Sequence, residues 1–128
     1  MHICYNNDCN EIAKYGKINS STGIFEKIRP SWLKNITGWN LELDCYCEQL
    51  KLAFEYNGIQ HYHYTKFFHK NDINNFYYQQ EKDELKKRLC EENDVYLIII
   101  PYQYNNYNTK EMYEYIDEKI REWEIYRK

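Results

Sequence analysis

Residues 41–47 read Leu-Glu-Leu-Asp-Cys-Tyr-Cys, a strict two-residue alternation. That period is the mark of a half-buried β-strand, with Leu41, Leu43, Cys45 and Cys47 on one face and Glu42 and Asp44 on the other. Residues 51–57 read as its hairpin partner. With the turn at Gln49-Leu50, Asp44 falls directly opposite Glu55, and Glu42 opposite Asn57. A slip of one residue would break that pairing and turn the side chains over.

The rest of the pattern builds an α/β (α+β) domain around this hairpin. Asn71 and Asp72 are both suitable N-caps for a helix running to about Glu92. Residues 95–100, Val-Tyr-Leu-Ile-Ile-Ile, read as a buried strand closed by Pro101. Tyr113, Ile116, Ile120 and Trp123 recur at helical spacing, giving an amphipathic C-terminal helix over about 109–126. Upstream, Ile12, Ala13, Tyr15 and Ile18 allow a short helix within residues 10–19, which Gly16 weakens. Residues 24–28 read as a short extended piece, and Arg29-Pro30 forces an extended or turn conformation. The order is helix, three strands, helix, strand, helix. The late strand–helix–strand run predicts a parallel element at the centre of a mixed sheet. A chain of 128 residues predicts a single domain, with its core over about 11–102.

Seventeen basic against 20 acidic residues give a formal charge of −3. Domains that hold DNA by bulk charge are usually strongly basic, so that class is disfavoured. A nuclease whose carboxylates hold a metal, and whose basic residues cluster locally, is not. No apolar run approaches the roughly 20 residues of a membrane span, and the first residues lack the regions of a secretory signal. The expected setting is intracellular, in cytoplasm or nucleus, with no membrane partner. Five cysteines, an odd count, predict reduced thiols. Cys4, Cys9, Cys45 and Cys47 fit a zinc site poorly, because zinc knuckles favour wider Cys spacing than Cys45-x-Cys47. On a strand those two thiols share a face and read as small core residues.

The acidic hairpin carries the chemistry. Like charges facing each other across neighbouring strands are destabilising without a cation between them. A divalent ion such as Mg²⁺ meets that need through one or two carboxylates plus a substrate phosphate. A solvated polar face neutralised by Lys51 or Lys34 would explain the same residues. His61 follows Glu55 by six positions and is of the residue type that moves protons near neutral pH. On the long helix, Gln80, Asp83, Lys86 and Cys90 fall at offsets of three, three and four, forming a polar row where an apolar one is usual. That row is either the wall of a site or an ordinary Asp83–Lys86 or Asp83–Lys87 ion pair.

Taken together, Arg29-Pro-Ser-Trp-Leu33, Leu41-Glu-Leu-Asp44, Phe54-Glu-Tyr-Asn-Gly-Ile-Gln-His-Tyr62, Gln80-x-x-Asp83-x-x-Lys86 and Ile98-Ile-Ile-Pro-Tyr102 resemble the Vsr-like (very short patch repair, EDxHD-type) branch of the PD-(D/E)XK nucleases. That branch includes proteins of large DNA viruses. The resemblance implies a restriction-endonuclease-like αβββαβ core and a metal-dependent DNA endonuclease using Mg²⁺ or Mn²⁺. It implies Asp44, Glu55, His61 and Asp83 as catalytic residues, with Asp44 and Glu55 on the metal and Glu11 and Glu42 as further metal candidates. Asn57 stands where other PD-(D/E)XK enzymes carry lysine. In the resembled branch histidine does that electrostatic work, and Lys86 is a candidate migrated lysine. Lys66, Lys70, Lys82, Lys86, Lys87 and Arg88 would form a basic rim for nucleic-acid phosphates. Tyr62, Tyr64, Phe67 and Phe68 would stack on or wedge between bases, unless they serve packing. The short acidic chain implies help from a homodimer or protein partner for DNA affinity. The alternative is a catalytically inactive nucleic-acid-binding or interaction module on the same fold.

Overall fold

In the computed structural model, which describes residues 25–35, 37–104 and 109–127, the elements are β1 (Glu26–Ile28), β2 (Leu43–Cys47), β3 (Leu52–Asn57), α1 (Ile73–Glu92), β4 (Tyr96–Pro101) and α2 (Thr109–Tyr126). A 3-10 turn at Ile59–His61 follows β3. The expected helix within residues 10–19, together with Glu11, Cys4 and Cys9, lies outside the described residues.

The hairpin has the register read from its turn. Cys45 pairs with Phe54, Tyr46 with Ala53 and Cys47 with Leu52, and the same register carries Asp44 to Glu55. Residues 48–51 close it, with Lys51 in the left-handed region (φ 53°) and its ammonium 2.7 Å from Glu48 Oε1. The described strands form one mixed sheet in the order β1-β2-β3-β4, antiparallel except for the parallel β3/β4 pair. A parallel pair needs a long crossover, and α1 supplies it.

Two expectations need correction. Among the described strands β4 ends the sheet order instead of sitting at its centre, and β2 and β3 are the strands buried on both faces. Nor does the alternation in β2 run unbroken. A step of two along β1 matches a step of three along β2, from Glu26↔Tyr46 to Ile28↔Leu43. An extra residue of this kind changes which face the following side chains take. Leu41 and Leu43 therefore pack with Tyr46, Ala53, Cys90 and Val95, while Cys45 and Cys47 pack on the other side.

The two helices cover opposite faces unequally. Against one face α2 buries Met112, Ile116, Ile120 and Trp123 on Cys45, Cys47, Leu52, Phe54, Ile98 and Ile100. Tyr115 on the same helix donates to the Ile99 carbonyl at 2.7 Å, fixing α2 to β4. On the other face α1 buries only Cys90 fully, with Leu85 and Leu89 partly covered. Its ends are well made. Asp72 accepts from Asn74 N–H at 2.9 Å as N-cap. At the other end Val95 N–H returns to the Cys90 carbonyl at 2.8 Å around left-handed Asp94 (φ 59°), the closing pattern of a helix that usually places Gly there.

The packing asymmetry predicts where stability resides. Ile116→Ala should cost about 2–5 kcal/mol in chemical denaturation, whereas Ile73→Ala, on an exposed position, should stay within about 0.5 kcal/mol. Asp72→Ala should cost about 1 kcal/mol through the lost cap, read in the same denaturation series.

Candidate functional site

Where the inner face of α1 turns from apolar to polar, it leaves a cleft of about 310 Å³ against β2 and β3. Asp44 and Glu55 enter it from neighbouring strands, His61 from the 3-10 turn, and Gln79, Lys82, Asp83 and Lys86 from α1. Four chain segments thus meet in one place.

Glu55 is buried, with 6 % of its surface exposed. It is not part of a solvated face, and neither Lys51 nor Lys34 neutralises it. The counter-charge is Lys86, whose ammonium lies 2.9 and 3.1 Å from the two Glu55 oxygens and 2.7 Å from the Glu42 carbonyl. Burial pushes the Glu55 carboxyl above its usual range; Lys86 opposes this and Asp44 adds to it. Asp44 is likewise raised by burial, opposed by Lys86 and raised further by Glu42. Glu42 itself stands between Lys27 at 3.7 Å and Arg29 at 3.5 Å. The acidic pair is therefore real, and held at an electrostatic cost that burial increases. Beside it, burial and Glu55 push the Cys90 thiol up to about 12, so it remains a protonated core residue. Cys45 and Cys47 are buried in the opposite core and take part in no disulfide.

His61 and Asp83 form the second half. His61 Nδ1 lies 2.8 Å from Asp83 Oδ2, and Gln79 donates to Asp83 Oδ1 at 3.0 Å. A carboxylate only accepts, so Nδ1 carries a proton, and of the two neutral tautomers this contact selects the one with its lone pair on Nε2. Asp83 acts as the orienting partner, with both oxygens engaged. The pair also borders a second cleft of about 570 Å³, shared with Asn57, Lys87 and Tyr115. Buried His69 sets the loop between His61 and α1. Its Nδ1 accepts from Thr65 N–H at 2.9 Å, its Nε2 donates to the Gln60 carbonyl at 3.0 Å, and Asn75 holds its own carbonyl at 2.8 Å.

The sequence-derived basic residues divide. Lys82 lines the cleft and also lies over the Tyr78 ring. Lys86 sits inside the site, bonded to Glu55, and not on its rim. Lys87 borders the second cleft and pairs with Glu84 at 3.4 Å. Arg88 lines other grooves along α1, one of them shared with Lys34 and Asn35, and Lys66 and Lys70 are exposed without lining the cleft. Of the aromatic residues, Phe67 and Phe68 are exposed at 84 % and 52 %, Tyr62 at 38 %, while Tyr64 stacks on His69. Two residues were missed. Arg29 lines the cleft, and Gln79, not Gln80, holds Asp83. An offset of four from Asp83 made Gln79 equally eligible; Arg29 opens the Arg-Pro-Ser-Trp-Leu run, but no spacing aimed its side chain at the cleft.

Among the described residues, no three of His, Cys, Asp and Glu converge closely enough to hold a metal by themselves. The carboxylates that could hold one with other ligands are the Asp44–Glu55 pair. That pair matches the one or two carboxylates that Mg²⁺ takes when water and phosphate complete its shell.

Among the described residues, no helix is long and apolar enough to cross a membrane. No protein-family model and no solved structure matches the chain. It is 51 % identical over 84 residues to uncharacterized protein 307L of Invertebrate iridescent virus 6, covering 61 % of this chain and 42 % of that protein. It is 52 % identical over 82 residues to uncharacterized protein 033L of Invertebrate iridescent virus 3, covering 61 % and 40 %. With uncharacterized protein 094L of Frog virus 3 (isolate Goorha) it shares 46 % over 79 residues, covering 61 % and 51 %. The chain is thus homologous to uncharacterized iridovirus proteins and spans 42 %, 40 % and 51 % of their respective lengths.

Proposed function

We propose that this cleft is the active site of a metal-dependent DNA endonuclease. The observation that carries the reading is the convergence of the Asp44–Glu55 pair with the His61–Asp83 pair in one cleft. Packing alone has no need to set a half-buried carboxylate beside a buried one. DNA as the substrate rests on the resemblance of the sequence to Vsr-like nucleases, with exposed Phe67 and Phe68 in the loop that follows His61 as further support.

Asp44 and Glu55 would hold Mg²⁺ or Mn²⁺, which supplies charge neutralisation at a phosphate and an acidified water when bound. The protein's own groups do the rest. Asp83 holds the His61 ring through Nδ1, which leaves Nε2 to take a proton from the attacking water or to return one to the leaving oxygen. Lys82 and Arg29, at the edge of the same cleft, face the flanking phosphates. Phe67 and Phe68 offer ring surface for stacking on bases. With a net charge of −3, phosphate contacts are confined to this local rim, and a homodimer or protein partner would supply further affinity. The proposed setting is the interior of an infected cell.

Supercoiled plasmid with Mg²⁺ or Mn²⁺ tests the reading. Wild type should nick it, Asp44→Asn should lose the activity, and His61→Ala should slow it by about 10²–10⁴-fold. Equal nicking by wild type and Asp44→Asn, or none by folded wild type on supercoiled, branched and single-stranded DNA, overturns it. DNA binding without cleavage would favour the non-catalytic module.

The raised carboxyls add a pH prediction. Because Asp44 and Glu55 hold protons more readily folded than unfolded, ionising them opposes folding. That cost is absent below the ordinary carboxylate range and complete above their raised values. A bound divalent cation relieves it only when they are ionised. Mn²⁺ should therefore raise the melting temperature at about pH 8 and far less at about pH 4, as read by scanning fluorimetry. An equal rise at both values, or an equal rise in Asp44→Asn, would rule this out.

A further inference from the structure

Lys86 is doing something that a plain surface ion pair does not. An ammonium has three protons, and here three acceptors meet it: both oxygens of Glu55 and the backbone carbonyl of Glu42. Its side chain is only 16 % exposed and that of Glu55 8 %. Without Lys86, two carboxylates on neighbouring strands would face each other in a poorly solvated cleft.

A divalent cation on the same pair changes the balance. It would draw an oxygen of Glu55 to itself and place two further positive charges within a few ångströms of the ammonium. At that range, like charges in a partly buried site repel far more strongly than they would in bulk water. The ammonium is on a flexible four-carbon stem and lines the same cleft as Lys82 and Arg29. It can swing without disturbing α1.

We propose that Lys86 is a resident counter-cation of the Asp44–Glu55 pair, seated on Glu55 in the metal-free protein and displaced when a divalent metal binds, its ammonium then being free to meet the substrate phosphate. The inference rests on the reading of Asp44 and Glu55 as the metal-holding pair. It adds that metal and lysine compete for Glu55, which a merely structural ion pair does not require.

Two measurements on the full chain test it. The first labels wild-type lysines with an amine reagent and reads each site by mass spectrometry. Lys86 should be protected without metal relative to Lys82 and Lys87, and its labelling should rise by about threefold or more with Mg²⁺, as its released fraction grows. The second titrates Mn²⁺ into wild type, Lys86→Met and Asp44→Asn by calorimetry. Lys86→Met should bind about tenfold more tightly than wild type, and Asp44→Asn should bind far more weakly. If Mn²⁺ binding depends on Asp44 but Lys86→Met binds no more tightly and Lys86 labelling is unmoved, the competition is overturned while the metal site survives. If neither wild type nor Lys86→Met binds Mn²⁺, both the metal site and the competition are overturned. Should Lys86→Met fail to fold, the labelling of wild type decides alone.

Discussion

The ion pair between Lys86 and Glu55 is the interaction on which the arrangement of the site depends. It ties α1 to the central strand β3, and through the Glu42 carbonyl to the entry of β2. Truncating one partner of a buried ion pair typically costs about 3–5 kcal/mol, against about 0.2–1 kcal/mol for an exposed pair such as Lys87 with Glu84. Much of that difference is the penalty for leaving the other charge buried and alone. Lys86 thus offsets much of the cost of burying Glu55 beside Asp44.

A helix that devotes its inner face to charge has little apolar surface left for the sheet. Cys90 is the only fully buried residue of α1, and the polar stretch Gln79, Asp83 and Lys86 occupies the turns above the strand ends. The opposite helix compensates. Met112, Ile116, Ile120 and Trp123 form the apolar layer that holds the sheet from the other side. Stability and chemistry are accordingly divided between the two faces, a division that gives the cleft freedom to stay polar.

Parts of this were readable in the residues. The hairpin register followed from turn position, because short loops leave few ways to pair adjacent segments. Asp72 marked the start of α1, since a short side-chain oxygen satisfies the exposed N–H groups there. Other parts were not. The displaced alternation in β2 is imposed by pairing with β1, some 17 residues earlier from Glu26 to Leu43. Gln79 and Gln80 are both within helical reach of Asp83, and only the rotation of α1 on the sheet selects between them. Arg29 reaches the cleft because β1 runs alongside β2, and no local spacing announces that.

By itself the sequence determined the periodic elements, the facing of Asp44 and Glu55 across one hairpin, and a long helix carrying Asp83 and Lys86. These are consequences of two-residue and 3.6-residue periods, which act over a few positions. Only the tertiary structure decided that Lys86 neutralises Glu55, 31 residues away, and that Asp83 meets His61, 22 residues away. Charge partners of that kind are chosen by the docking of a helix on a sheet. That docking is fixed by the apolar surfaces being buried, and the charges find their partners within it.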